Sequence, residues 1–190
     1  EHVKTEQGHQ DLLKIKDMLG DRLRIVEQSG QTMDDVASMT ALLNNSGWHV
    51  DFTVYDNFQL IPNVSDFATY EAQAAKMKRY TNKYKCPLLM LVQMNDAFQQ
   101  RGAKKLHPPV PADIKGSNGF MSALDELIMI WRPSLMQANV DAIEAEEEKY
   151  ITMMRIGKAR RSMNGPTIFR YEYNPSTGDL KEVPLLMRKG

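Results

Sequence analysis

Two short apolar runs constrain this chain more than any other feature. Residues 50–55, VDFTVY, and residues 88–92, LLMLV, are too short for ordinary helices and rich in aliphatic, β-branched or aromatic side chains. Between them lies a segment of helical pattern, capped by Ser65 or Asp66 and running through Tyr84. Two strands joined through a helix pair in parallel, because a parallel connection needs a crossover of a dozen or more residues. The run at 88–92 reads as a fully buried strand. The chain therefore folds as α/β, around a mostly parallel sheet flanked by helices.

The flanking segments extend that alternation. Residues 10–19 place Leu12, Leu13, Ile15, Met18 and Leu19 at near-helical spacing, closed by Gly20. Residues 24–27 suggest a short strand. Thr32 caps a helix that shows Met33, Val36, Met39, Leu42 and Leu43 on one face and ends at Gly47. A long basic loop is expected at 95–118 and a strand at 127–131, then a polar, acid-rich connection at 133–149. Strands at 151–156 and 167–173 close the chain, separated by a basic, glycine-containing turn. Their short connection makes them antiparallel, and residues 184–190 form a loosely held tail.

The 190 residues contain 24 Lys and Arg against 24 Asp and Glu, so bulk charge alone does not hold a nucleic acid. A single cysteine, Cys86, excludes an internal disulfide and fits a reducing cytosol. No apolar run approaches the ~18 residues that would span a membrane, and the polar start EHVKTEQGHQ has no signal-peptide core. That start also lacks an initiator methionine and reads as a cut or processed end.

Three places carry chemistry. Asp56 follows the first apolar run, where the carboxyl ends of a parallel sheet bind ligands, and a carboxylate there can support magnesium beside a triphosphate. It equally suits a turn cap. Gln93 follows the second run, where its amide can bond a terminal phosphate or the attacking water, or satisfy loop backbone. Lys158, Arg160 and Arg161 cluster before Asn164-Gly165-Pro166, as a solvated basic turn or as cations aimed at a transferring phosphate.

The order of these elements resembles the DnaB-type replicative helicases. Their Walker B strand ends in a pattern like IDYLQL, against YDNFQL here. A following LSQLNRSLEQR has its counterpart in LVQMNDAFQQR, with Gln93, Asn95, Gln100 and Arg101 in corresponding places. SNGFMSALDELIMIWR resembles the family's SGSIEQDADLIMFIYR, and IGKARRSMNGP its closing IGKQRNGP. The earlier RIVEQSGQTMDDV resembles YIDDSSGLTPTEV, so the likeness covers nearly the whole chain.

The resemblance implies a RecA-like ATPase domain, present in part, over residues 1–183, with a tail at 184–190. Asp56 corresponds to the Walker B carboxylate that holds magnesium, mostly through water, and Gln93 to the γ-phosphate sensor. Lys158 and Arg160 correspond to the pair that reaches an adjacent subunit's ATP, Arg160 being the finger. The extra residues before Asn164 make Arg161 the alternative finger. Arg101, Lys104 and Lys105, and then Lys115, Ser117, Asn118 and Gly119, occupy the places of DNA-facing loops.

The further implications are a homo-hexameric ring, single-stranded DNA, a primase, a helicase loader, and no membrane. The location implied is a bacterial cytoplasm, or a host's for a phage or plasmid version. No GxxxxGK[ST] phosphate loop occurs in the sequence. That loop, the first strands of the sheet and the catalytic glutamate are expected upstream of Glu1. A recombinase or clock-type ATPase of the same fold, and a non-catalytic interaction protein keeping half a motor fold, stand as alternatives.

Overall fold

The computed structural model describes residues 5–28, 30–64, 66–95, 108–114, 119, 121–136, 149–160 and 168–185. The chain divides into two compact units, Glu1–Gly30 and Gln31–Gly190. In the first, helix α1 spans Glu6–Leu19. The Thr5 hydroxyl accepts from the Gly8 N–H at its start, and Gly20, at φ 51°, ends it. The strand expected at 24–27 does not form. A strand exists only through a partner's hydrogen bonds, and among the described residues none pairs with this segment, which leaves Ile25 74% exposed.

The second unit begins with helix α2, Met33–Asn45, held by a capping box in which Thr32 and Asp35 satisfy each other's backbone N–H groups. Those bonds hold the Asp35 carboxyl below the ordinary aspartate range. Met33 and Val36 face the core as the spacing requires. Thr40 is buried, whereas Leu42 is exposed. Strand β1, Thr53–Tyr55, follows, and helix α3, Phe67–Tyr84, returns the chain to strand β2, Leu88–Met90. Asp66 caps α3, with Thr69 completing a second box.

Strands β1 and β2 pair in parallel, Thr53 opposite Leu88 and Tyr55 opposite Met90. One face of this pair carries Thr53, Tyr55, Leu88 and Met90 toward α2 and α3. The opposite face is bare: Phe52, Val54, Leu89 and Leu91 are all exposed. The run at 88–92 is thus a strand but not a fully buried one, because no described element covers its second face.

The core between sheet and helices is built on Met33, Val50, Phe58, Tyr70, Ala74, Tyr80 and Cys86. Inside it the Tyr80 hydroxyl lies 2.9 Å from Thr40 Oγ1 and 2.7 Å from Thr53 Oγ1, joining α3 to α2 and to β1. Burial pushes the Tyr80 phenol above its ordinary value, with the two threonine bonds offsetting part of the rise.

A separate antiparallel sheet follows, in the order β3-β4-β5-β6. Its strands are β3, Glu126–Trp131, β4, Ile151–Ala159, β5, Ile168–Tyr173, and β6, Leu180–Val183. Strand β6 carries no sequence signal: LKEV is mostly exposed and has no apolar alternation, and its pairing with β5 alone makes it a strand. The connection expected at 133–149 opens with a short helix, α4, Pro133–Met136, and residues 137–148 lie outside the described residues.

The threonine–tyrosine–threonine node yields a test. Tyr80→Phe removes the shared hydroxyl and takes a partner from each of two buried or half-buried threonine hydroxyls, so urea denaturation should show a loss of about 1–3 kcal/mol. Unchanged stability would mean that the node holds nothing.

Candidate functional site

Asp56 is the first residue past β1, and Gln93 lies three residues past β2. The ladder between the two segments continues beyond the strands. Leu91 donates to the Tyr55 carbonyl at 3.0 Å, and the Phe58 N–H donates to the Leu91 carbonyl at 2.9 Å. The chain then turns into a 3-10 helix, Phe58–Leu60, capped by the Asn57 side chain, and the Asp56–Asn57 peptide is cis. Phe58 is buried and stacks on Tyr70 of α3 at 5.4 Å between ring centroids. Asp56 and Gln93 therefore stand exposed on one carboxyl edge of a parallel sheet, where α/β folds bind ligands.

A residue given no role from the sequence joins them. The Gln59 side chain donates from Nε2 to the Gln93 carbonyl at 3.3 Å, and its Oε1 accepts from the Gln93 N–H at 3.2 Å. Gln59 lies within the YDNFQL segment, and nothing in its spacing reveals a long-range contact.

Lys158 and Arg160 sit on the other sheet, at the end of β4. Ile156 pairs with Ile128 and Lys158 with Leu127, so Gly157 is an extra residue in β4. Paired residues share a face, and Leu127 and Ile128 point to opposite faces. The bulge thus places Lys158 on the inner side with Leu127, although Ile156 two positions earlier lies on the outer side with Ile128. Gly157 also fits its place sterically: a Cβ there would lie 2.4 Å from the Met129 methyl and 3.4 Å from Leu127 Cδ2.

From this position Lys158 Nζ donates to the Met121 carbonyl. Arg160 donates to the Ser122 carbonyl at 2.5 Å and to Asp125 Oδ1 at 3.2 Å, and its N–H bonds the Asp125 carbonyl. Lys78 of α3 reaches the same carboxylate at 2.9 and 2.7 Å. Asp125 thus ties α3 to the end of β4, and no motif or spacing announces that role for it or for Lys78. Burial, then the neighbouring Arg160 charge, push the Lys158 amine below its ordinary value, with Asp125 opposing and Lys78 adding to the shift.

The remaining candidates divide in two. Gly119 is buried, and a Cβ there would lie 2.9 Å from the Glu71 nitrogen and 3.1 Å from Tyr70 Cβ. Gly119, expected among the DNA-facing loop residues, itself lies close against α3, where a side chain would not fit. Arg101, Lys104, Lys105, Lys115, Ser117, Asn118 and Arg161 lie outside the described residues. Among the described residues no three His, Cys, Asp or Glu side chains form a metal cluster. Magnesium needs no such cluster, since it keeps several waters and takes one or two carboxylates beside phosphates, and a lone exposed Asp56 fits that use.

The architecture is that of RecA-like helicase ATPase domains. One solved ATPase domain superposes with a TM-score of 0.76 at 16% identity, covering 95% of this chain and 62% of the other. A DnaB-like replicative helicase, solved in a study of its interactions with primase, gives 0.73 at 16% identity and covers 93% and 41%. In sequence, the replicative DNA helicase DnaB of Haemophilus influenzae is 28% identical over 148 residues, 76% of this chain and 29% of that protein. The chain thus spans under a third of that relative's length. Residues 2–177 match the DnaB-like helicase C-terminal domain, and the chain belongs to that family. Among the described residues no helix is long and apolar enough to cross a membrane.

The packing at Gly157 can be tested directly. Gly157→Val should lower the unfolding free energy by about 1–3 kcal/mol through overpacking, and shift the NMR resonances of Lys158 and Arg160. Gly157→Ala, accommodated by the flexible end of Met129, should cost less than half as much. Equal stabilities for the two variants would contradict this packing.

Proposed function

We propose that this chain is the later part of an ATP-driven, ring-forming replicative DNA helicase motor. The observation that carries the reading is the pairing of Asp56 and Gln93 on one sheet edge, with Lys158 and Arg160 fixed at the end of another sheet. Family membership over residues 2–177 supports it, and favours a helicase over a recombinase of the same fold. Residues 1–183 form the later part of the ATPase domain in this reading, and 184–190 a tail.

Each side chain then has a task. Asp56 holds magnesium, directly or through water, beside the subunit's own triphosphate. Bound ATP and magnesium supply the phosphoryl group and neutralise its charge. The Gln93 amide bonds the terminal phosphate or orients the attacking water. Arg160, with Lys158 beside it, stabilises charge on the phosphate of a neighbouring subunit, and Arg161 is the alternative finger. Arg101, Lys104, Lys105, Lys115, Ser117, Asn118 and Gly119 belong to the loops that contact the backbone of single-stranded DNA without reading bases. The expected assembly is a homo-hexamer working with a primase and a loader in the bacterial or host cytoplasm.

The decisive experiment uses an assembly that supplies a phosphate-binding loop. Arg160→Ala should lower DNA-stimulated ATP hydrolysis by about 10³-fold, the scale of an arginine finger, with nucleotide binding retained. Normal turnover in that variant, with Arg161→Ala inactive, would move the finger by one residue. Normal turnover in both would refute the assignment.

A further inference from the structure

The parallel ladder between β1 and β2 has an unusual ending. Leu91 is paired through both its backbone groups, its N–H to Tyr55 and its carbonyl to Phe58. Gln93 is the next residue in that alternating series, and by then the opposite chain has left the sheet for the 3-10 helix Phe58–Leu60. A side chain takes the place of the missing strand. The Gln59 amide turns one N–H and its carbonyl oxygen toward Gln93, as the backbone N–H and C=O of a facing strand residue would, and both are bonded to Gln93.

We propose that Gln59 is the positioning residue for Gln93, completing the ladder with its side-chain amide so that Gln93 meets the terminal phosphate in a fixed orientation. This rests on reading Gln93 as the sensor. Two features make Gln59 suited to the task. Its own N–H is held by Asn57 Oδ1 at 3.1 Å, and it directly follows Phe58, which is anchored in the core. The side chain therefore starts from a fixed root, so less conformational entropy is lost in making the bonds. Neither near relative keeps both bonds: asparagine is one methylene shorter, and ionised glutamate accepts but cannot donate.

The clamp also gives the sensor a route outward. Just beyond Gln93, Met94 bridges to Ile114, and the Asn95 N–H donates to the Asp113 carbonyl at 2.7 Å. Gln59, Gln93 and the 110–114 segment thus form one run of backbone-level contacts. It starts at the turn that carries Asp56.

Two measurements test this. In the chain itself, Gln59→Leu should speed hydrogen exchange at the Gln93 amide by about tenfold, the scale of one lost hydrogen bond, with Leu91 exchange unchanged. Gln59→Glu should give a smaller increase, since it keeps the acceptor. Unchanged Gln93 exchange in both variants would overturn the clamp. In an assembly that supplies a phosphate-binding loop, Gln59→Leu should lower kcat by about tenfold with KM for ATP within about twofold. Gln93→Ala should lower kcat at least as much, and the double variant should be no worse than Gln93→Ala alone. Additive losses would overturn the positioning role. A Gln93→Ala enzyme of normal kcat would refute the sensor reading and the positioning role with it, while the exchange data would still judge the clamp.

Discussion

Everything at the carboxyl edge depends on one buried hydroxyl. β1 is three residues long, too short to hold its place by backbone pairing alone. Tyr80 fixes it by sharing its hydroxyl between Thr53 of β1 and Thr40 of α2, close to Cys86 at the entrance to β2. Buried hydroxyls without partners are costly, so the three groups have one arrangement that satisfies them together. That arrangement sets the height of β1 against the helices, and so sets where Asp56 emerges. Phe58, wedged on Tyr70 four residues beyond Val54, fixes the far side of the same turn.

The two sheets divide the labour of the proposed motor. The parallel pair presents Asp56 and Gln93 on loops that Phe58 and Gln59 clamp. The antiparallel sheet is a stiff arm for Lys158 and Arg160, with four strands in unbroken sequence order. The end of that arm is tied to α3 through Asp125 and Lys78, both partly exposed to solvent. Ion pairs of that kind contribute little to stability. Their value lies in restricting where a long guanidinium points.

Local chemistry makes much of this readable from the sequence. Thr32 and Asp66 announce their helices because a short polar side chain must satisfy the first free N–H groups. Asp56 and Gln93 stand out because each ends an apolar run, and Lys158 and Arg160 because they stand in the family's closing pattern. What escapes has a common cause. Gln59, Lys78 and Asp125 act on partners 34, 47 and 35 residues away, and no periodicity records such distances. β6 is a strand by pairing, not by propensity. Residues 24–27 fail for the converse reason, having propensity and no strand to pair with among the described residues. The bare face of β1 and β2 is invisible because an apolar run reports what a strand can bury and not what lies above it.

The bulge at Gly157 makes the parity of β4 matter. Strand side chains alternate, and a bulge shifts that alternation by one residue for all that follows in the sequence. With one extra residue, Lys158 and Arg160 both turn inward, toward the carbonyls of Met121 and Ser122, and Ala159 turns out. If Gly157 instead paired with Leu127 and no bulge formed, the segment would keep every side chain and send both cations to the outer face. The aim of the arm is therefore stored in where the extra residue is taken up, and not in the chemistry of the residues that carry the charge.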